Sequence, residues 1–250
     1  MRSSAGATLL SRLPRSRLPQ LLLLQFLVGA TIELALAYGD ERRAERERMV
    51  AEQIAQRGVS DARLLEALRT VPRHRFIPAE WQREAYTDGP LPIGEGQTIS
   101  QPYVVAKMTE LLALKGGERV FELGTGSGYQ AAVASRLCAH VYTVEIVPKL
   151  AERAVGVIRG LGYDNVSIRV GDGFRGWPEA APFDAMLITA AVAELPDGLL
   201  KQLKPGGRAV MPVGPKLGIQ DLVLVEKSAD GKATTKTIFP VRFVPATGKP

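Results

Sequence analysis

Three glycines spaced two residues apart, Gly124, Gly126 and Gly128, follow the run Val120-Phe121-Glu122-Leu123, in which Glu122 is the single charge. That run reads as a buried parallel strand, and glycines directly after it can turn the chain sharply and bring backbone N–H groups against a ligand. Ala131 to Leu137 then reads as a helix. Strand, glycine turn and helix N-terminus together form a nucleotide-type pocket in open α/β sheets. A dinucleotide fingerprint is G-x-G-x-x-G, whereas here the spacing is G-x-G-x-G with an acid two residues ahead. A pyrophosphate would be repelled by Glu122, while the cationic sulfonium of S-adenosylmethionine tolerates it. The spacing therefore points to that cofactor, although glycine turns alone also serve as plain strand-to-helix connections.

Two more acids fall in register with this loop. Val141-Tyr142-Thr143-Val144-Glu145 reads as a second strand whose carboxylate comes 17 residues after Gly128, about where a ribose-binding acid sits in such folds. Val166 to Val170 reads as a third strand, closed by Gly171-Asp172-Gly173, which places Asp172 toward an adenine edge. Singly, each would be an ordinary strand-end acid. Upstream, Gly89, Pro90, Pro92, Gly94, Gly96 and Pro102 surround Gln97-Thr98-Ile99-Ser100-Gln101, a rigid loop that offers hydroxyls just before a helix beginning near Val104. A helix N-terminus favours anions, so this loop suits a carboxylate or a cofactor. Ser100 read locally is an N-cap residue.

These residues need a scaffold, and 250 residues with 46% hydrophobic content are enough for one α/β domain plus an extension. The net charge is +6, of which +4 belongs to residues 41–250. Basic and acidic residues interleave there with few aromatics, which gives no case for nucleic-acid binding. Cys138 is the only cysteine, so a disulfide within the chain is excluded, a Cys-based metal site is not expected and no metal is assigned. In residues 1–40, arginines up to Arg17 precede the run Leu21 to Ala30, and Ala35-Leu36-Ala37 follows. This is the pattern of a signal peptide; the run is short for a membrane span, and Glu33 would be costly inside one. A start site placed too early, with translation beginning near Met49, is the alternative. Residues 1–40 are set apart as an extension, with 41–250 as the domain and no stable membrane contact expected after residue 40.

The rest of the chain supplies the elements. Glu41 to Arg57 reads as a charged surface helix ending at Gly58, and Ser60-Asp61 caps a second helix that buries Leu64, Leu65 and Leu68 before Pro72. His74 reads as structural or solvated. Phe183 to Thr189 is a fourth strand, Glu194 to Leu203 a helix, and Arg208 to Val213 a fifth strand after Pro205-Gly206-Gly207. Asp221 to Glu226 and Thr234 to Phe239 alternate around Asp230-Gly231, the signal of an antiparallel hairpin at the sheet edge.

Several of these stretches carry a resemblance. Val71-Pro72-Arg73-His74-Arg75-Phe76-Ile77-Pro78, Leu91 to Tyr103 with its G-Q-T-I-S-Q-P segment, Glu122 to Gln130, Lys204 to Arg208 and Val241-Arg242-Phe243-Val244-Pro245 together resemble the protein-L-isoaspartate O-methyltransferase family, from about Met49 to Gly248. The resemblance implies a Rossmann-like S-adenosylmethionine-dependent methyltransferase sheet, α/β with helices on both faces and a C-terminal antiparallel hairpin. It implies methyl transfer to the α-carboxylate of L-isoaspartyl residues in damaged proteins and peptides, giving an ester that returns through a succinimide toward aspartate. By the same matching Ser100 is the active-site residue, and Gln97, Thr98 and Ile99 line the mouth of the cofactor and substrate site. Glu145 holds the ribose, Asp172 and Gly173 contact adenine, and Thr247 lies near the site; Glu122, Gly124, Gly126 and Gly128 form the cofactor loop. The stretch Ala190 to Pro196 departs from the family, where a proline often sits earlier.

A carboxylate is already ionised at neutral pH and needs no general base. Ser100 is therefore read as a hydrogen-bond positioner and not as a covalent nucleophile. The rival readings are a small-molecule methyltransferase, against which the G-Q-T-I-S-Q-P loop argues, a non-catalytic cofactor-binding or chaperone-like envelope module, and, more distantly, a dinucleotide oxidoreductase. A monomer is expected. S-adenosylmethionine is a cytosolic metabolite, so a cytoplasmic location is expected, with export or a periplasmic location through residues 1–37 as the alternative.

Overall fold

The computed structural model describes residues 42–248; the expectations for residues 1–40 lie outside them. Among them, residues 44–248 belong to one compact unit. Its lead-in helix α1 (Arg43–Arg48) continues as a π-helical turn, Met49–Ile54, and a 3-10 turn, Ala55–Arg57, ending where Gly58 turns left-handed at φ 85°. The Asp61 carboxylate accepts from the Arg63 and Leu64 N–H groups and so caps α2 (Ala62–Thr70), which buries Leu64 and Leu68.

The glycine- and proline-rich stretch read as a loop folds into a small antiparallel hairpin, β1 (Leu91–Gly94) and β2 (Gln97–Ile99). Leu91, Ile93 and Ile99 are buried, and Gly94, Glu95 and Gly96 make the turn with three consecutive positive φ angles. Helix α3 (Pro102–Leu111) follows. Its N-cap is Gln101 and Pro102 opens its first turn, so Ser100 is not the N-cap that its local context suggests. Proline at the first helical position needs no capped N–H, and the serine is left for other work.

Seven strands make the main sheet, in the order β5-β4-β3-β6-β7-β8-β9. Strands β3 (Arg119–Leu123), β4 (His140–Glu145), β5 (Val166–Val170), β6 (Phe183–Ile188) and β7 (Leu203–Val213) are parallel; β8 (Gln220–Lys227) and β9 (Ala233–Val241) add an antiparallel hairpin at one edge. The chain runs outward from β3 to β4 and β5, then returns to lay β6 on the other side of β3. That reversal opens a crevice at the carboxyl ends of β3 and β6.

Alternation along the strands divides the core. Val120, Leu187, Val210 and Leu222 share a core with the Met49–Ile54 turn, α2, α3, α4 (Tyr129–Ser135) and α5 (Pro148–Gly160) on one face. Phe121, Phe183, Met186 and Met211 pack on the other, against Phe174, Trp177 and the one-turn helix α6 (Asp197–Leu200). Helical cover is thus long on one face and short on the other. Helix α6 is much shorter than the expected Glu194 to Leu203, because Leu203 already pairs with Phe183 in the sheet. Strand β7 correspondingly begins at Leu203 and takes the Pro205-Gly206-Gly207 turn in as an irregularity of register. Cys138 lies past the end of α4, buried, and burial pushes its thiol up to about 12.

Candidate active site

At the crevice the glycine loop is held from three sides. The Gly124 N–H donates to Val144 O at 2.9 Å, the Gly128 N–H to Thr125 O at 2.8 Å, and the Gly126 N–H to the Glu145 carboxylate at 2.7 Å. From the returning strand, the Thr189 hydroxyl donates to Gly124 O at 2.6 Å and lies 2.9 Å from Leu123 O. Gly124 has φ +92°, and a Cβ there would sit 2.6 Å from that hydroxyl. Glycine is demanded here both by conformation and by space.

The loop forms one wall of a cavity whose lining brings together Gln97, Thr98, Ile99, Ser100, Gly124, Gly126, Glu145, Gly173 and Thr247 from among the expected residues. Three expected residues are not on its wall. Gly128 sits one step behind as the N-cap of α4. Asp172 turns its carboxylate to the Phe174 N–H at 3.0 Å. Glu122 shares a strand face with Val120, completely buried, and neither of its oxygens has a hydrogen-bond partner among the described residues. Burial pushes its carboxyl up to about 8; the nearby Thr143 hydroxyl opposes the rise and the Glu145 charge adds to it.

Other lining residues were not singled out by the sequence: Thr125, Ser127, Thr189, Ile146 and the strip Val244-Pro245-Ala246. That strip reaches the cavity because Ala191 clasps it, its N–H donating to Val244 O and its carbonyl accepting from the Ala246 N–H, both at 2.8 Å. Thr189 had a readable signal, its place just after a strand at the sheet's reversal point. The strip overlaps the Val241-to-Pro245 stretch and abuts Thr247, but its place in the cavity had no local signal, since only the folded sheet brings residue 245 beside residue 191.

A second groove adjoins the cavity and shares Thr98, Ser100, Thr189 and Val244 with it. Ser100 is half-buried at this junction. Neither histidine is there to activate it. His74 is buried with Nδ1 2.7 Å from the Tyr86 hydroxyl, and His140 pairs with the Ser167 hydroxyl at 2.9 Å. Among the described residues no cluster of His, Cys, Asp and Glu is arranged to hold a metal. The polar groups present, loop amides, one accepting carboxylate and small hydroxyls, with an apolar Ile146 edge, fit a nucleoside carrying an amino acid.

Comparison with known proteins places this arrangement. The family model for protein-L-isoaspartate(D-aspartate) O-methyltransferase matches residues 44–250. A protein-L-isoaspartate O-methyltransferase of Opitutus terrae is 54% identical over 233 residues, covering 93% of this chain and 98% of the relative. Among solved structures, a protein-L-isoaspartate O-methyltransferase superposes with TM-score 0.73 at 34% identity, over 81% of this chain and 66% of the other. A Plasmodium falciparum relative, solved in complex with S-adenosyl-L-homocysteine, gives TM-score 0.69 at 24% identity over 81% of this chain and 98% of that one. With the match spanning nearly all of the described residues, the chain belongs to the protein-L-isoaspartate O-methyltransferase family.

Proposed function

We propose that this chain methylates the α-carboxylate of L-isoaspartyl residues in damaged proteins and peptides, with Ser100 at the point of transfer. The observation that carries this reading is the junction at Ser100, Thr98, Thr189 and Val244, four residues that line both the cavity walled by the glycine loop and the adjoining groove. S-adenosylmethionine, when bound, supplies an activated methyl on a cationic sulfur that leaves as a neutral thioether. Glu145 would accept the ribose hydroxyls, Gly173 and Ile146 would flank the adenine, and the Thr125-to-Ser127 backbone would meet the amino-acid end. Thr247 and Gln97 to Ile99 complete the enclosure, while Glu122 stays buried behind the loop and off the cavity wall.

The protein's own part in the reaction is alignment. Ser100 and Thr98 can donate hydrogen bonds to one oxygen of the acceptor carboxylate, which leaves the other oxygen to attack. No residue has to remove a proton, and the missing base beside Ser100 agrees with that. The half-buried junction keeps water from competing for the methyl. Ester formation makes the carboxyl carbon open to attack by the neighbouring backbone nitrogen. Loss of methanol then gives a succinimide that reopens in part to normal aspartate.

Residues 41–250 are proposed as the methyltransferase domain and residues 1–40 as a separate extension. No helix among the described residues is long and apolar enough to cross a membrane. The cofactor supports a cytoplasmic location and the signal-like pattern of residues 1–37 supports export; cell fractionation with N-terminal sequencing separates the two. We further propose a monomer that binds neither nucleic acid nor, beyond residue 40, membrane.

The test is mass-spectrometric. Incubating the protein with S-adenosylmethionine and an L-isoaspartyl peptide should add one methyl as a base-labile ester that decays through a succinimide. A stable adduct, or cofactor binding with no ester, would refute the assignment.

A further inference from the structure

The groove beyond the junction runs along Tyr103, Ile219, Phe239 and Arg242. Its wall is aromatic: the Tyr103 and Phe239 rings stack with centroids 5.8 Å apart and planes 27° from parallel. The Arg57 guanidinium lies 5.1 Å from the centre of the Tyr103 ring. Its charge is met by an ion pair to Asp88, whose carboxylate also accepts from Gln101 Nε2 at 2.8 Å. Arg242 is exposed, and no ion pair to it occurs among the described residues. Ile219 is 61% exposed at the rim. The groove therefore offers a ring shelf, an aliphatic edge and one uncompensated cation.

A groove that shares Thr98 and Ser100 with the place proposed for the acceptor carboxylate is positioned to receive what is covalently next to it. Resting on the reading that this carboxylate is isoaspartyl, we infer that the groove takes the side chain adjacent to the isoaspartyl residue and selects among substrates by it. Phe239 and Tyr103, which already stack on each other, favour an aromatic or large apolar neighbour that packs against the Phe239 side of the pair and covers Ile219. Arg242 disfavours a lysine or arginine, because its charge has no internal partner to cancel it. The same enzyme thus repairs isoaspartyl sites unequally according to local sequence, and the residues that set the ranking stand outside the reacting centre.

The experiment uses the full chain and L-isoaspartyl pentapeptides with Gly, Phe or Lys placed in turn on each side of the isoaspartyl residue. On one side, kcat/KM should be about fivefold higher for Phe than for Gly and about threefold lower for Lys than for Gly. Within Phe239→Ala the Phe-to-Gly ratio should fall toward one, whatever the absolute rate. Within Arg242→Gln the Lys penalty should disappear while the Phe preference stays. Equal kcat/KM for all neighbours on both sides, or ratios unchanged in both variants, overturns the inference and leaves isoaspartyl methylation standing. Absence of ester on every isoaspartyl peptide overturns the underlying reading with it.

Discussion

The Glu145 carboxylate accepts the Gly126 N–H at 2.7 Å through one oxygen and the Val147 N–H at 2.9 Å through the other. A single buried side chain at the end of β4 thus ties the glycine loop to the start of α5 while it lines the cavity. Glu145→Ala frees two N–H groups at once, and hydrogen bonds to a charged group are worth about 1.5–3 kcal/mol each. The variant should melt several degrees lower and bind S-adenosylhomocysteine at least about tenfold more weakly. Calorimetry of unfolding and of binding reads both, and Glu145→Gln, which keeps one acceptor oxygen, should lose less of each.

Ser100 carries the transfer geometry without a covalent role. Ser100→Ala should lower kcat/KM for an isoaspartyl peptide by about 10- to 100-fold, the loss of one hydrogen bond to a charged acceptor. Affinity for the cofactor product should change little by comparison. Undiminished kcat/KM in the variant would remove Ser100 from the mechanism.

Gly124 admits no side chain at its present φ of +92°, with the Thr189 hydroxyl 2.6 Å from where a Cβ would stand. Gly124→Ala should cost about 1–3 kcal/mol of stability, and displacement of the loop should weaken cofactor binding with it. Denaturant titration and calorimetry check the two effects separately.

Glu122 gives a pH signature. Its carboxyl is raised from the ordinary value of 4.5 to about 8 by burial, so the folded state holds this proton more tightly than the unfolded chain. Its contribution is fullest below the unfolded value and is lost as pH rises toward 8. The stability gap between Glu122→Gln and wild type should therefore widen in favour of the variant from pH 5 to pH 8. Unfolding free energies measured without cofactor across that range would show it; a gap independent of pH would contradict the burial argument.

How much of this was legible follows from burial. Strands β3, β4 and β6 lie inside the sheet, are largely buried and read as mostly apolar runs. Val166–Val170 has the bounds its sequence suggests. The β8–β9 hairpin shows itself by two β-prone runs on either side of Asp230-Gly231, and Asp61 is found at the cap where its spacing puts it. The β1–β2 hairpin stays hidden because its strands are 4 and 3 residues long, built of Pro and Gly that local rules assign to turns. In the site, the glycine loop, Glu145 and the Gln97-to-Ser100 mouth were visible as local patterns. Thr189 showed only as the end of a strand, and the place of Val244 to Ala246 beside Ala191 did not show at all, since it depends on which segments become neighbours. Glu122 and Leu123 show the limit in miniature: adjacent on one strand, they point to opposite faces, and only Leu123 reaches the cavity.

The central claim is that the free α-carboxylate of an isoaspartyl residue is the group methylated at Ser100. Three peptides of one sequence test it most directly, carrying L-isoaspartate, normal L-aspartate, or L-isoaspartate with its α-carboxylate converted to an amide, each incubated with methyl-labelled S-adenosylmethionine. The account predicts base-labile label in the first peptide alone. Equal labelling of the aspartyl peptide, or any labelling of the amide, would contradict it.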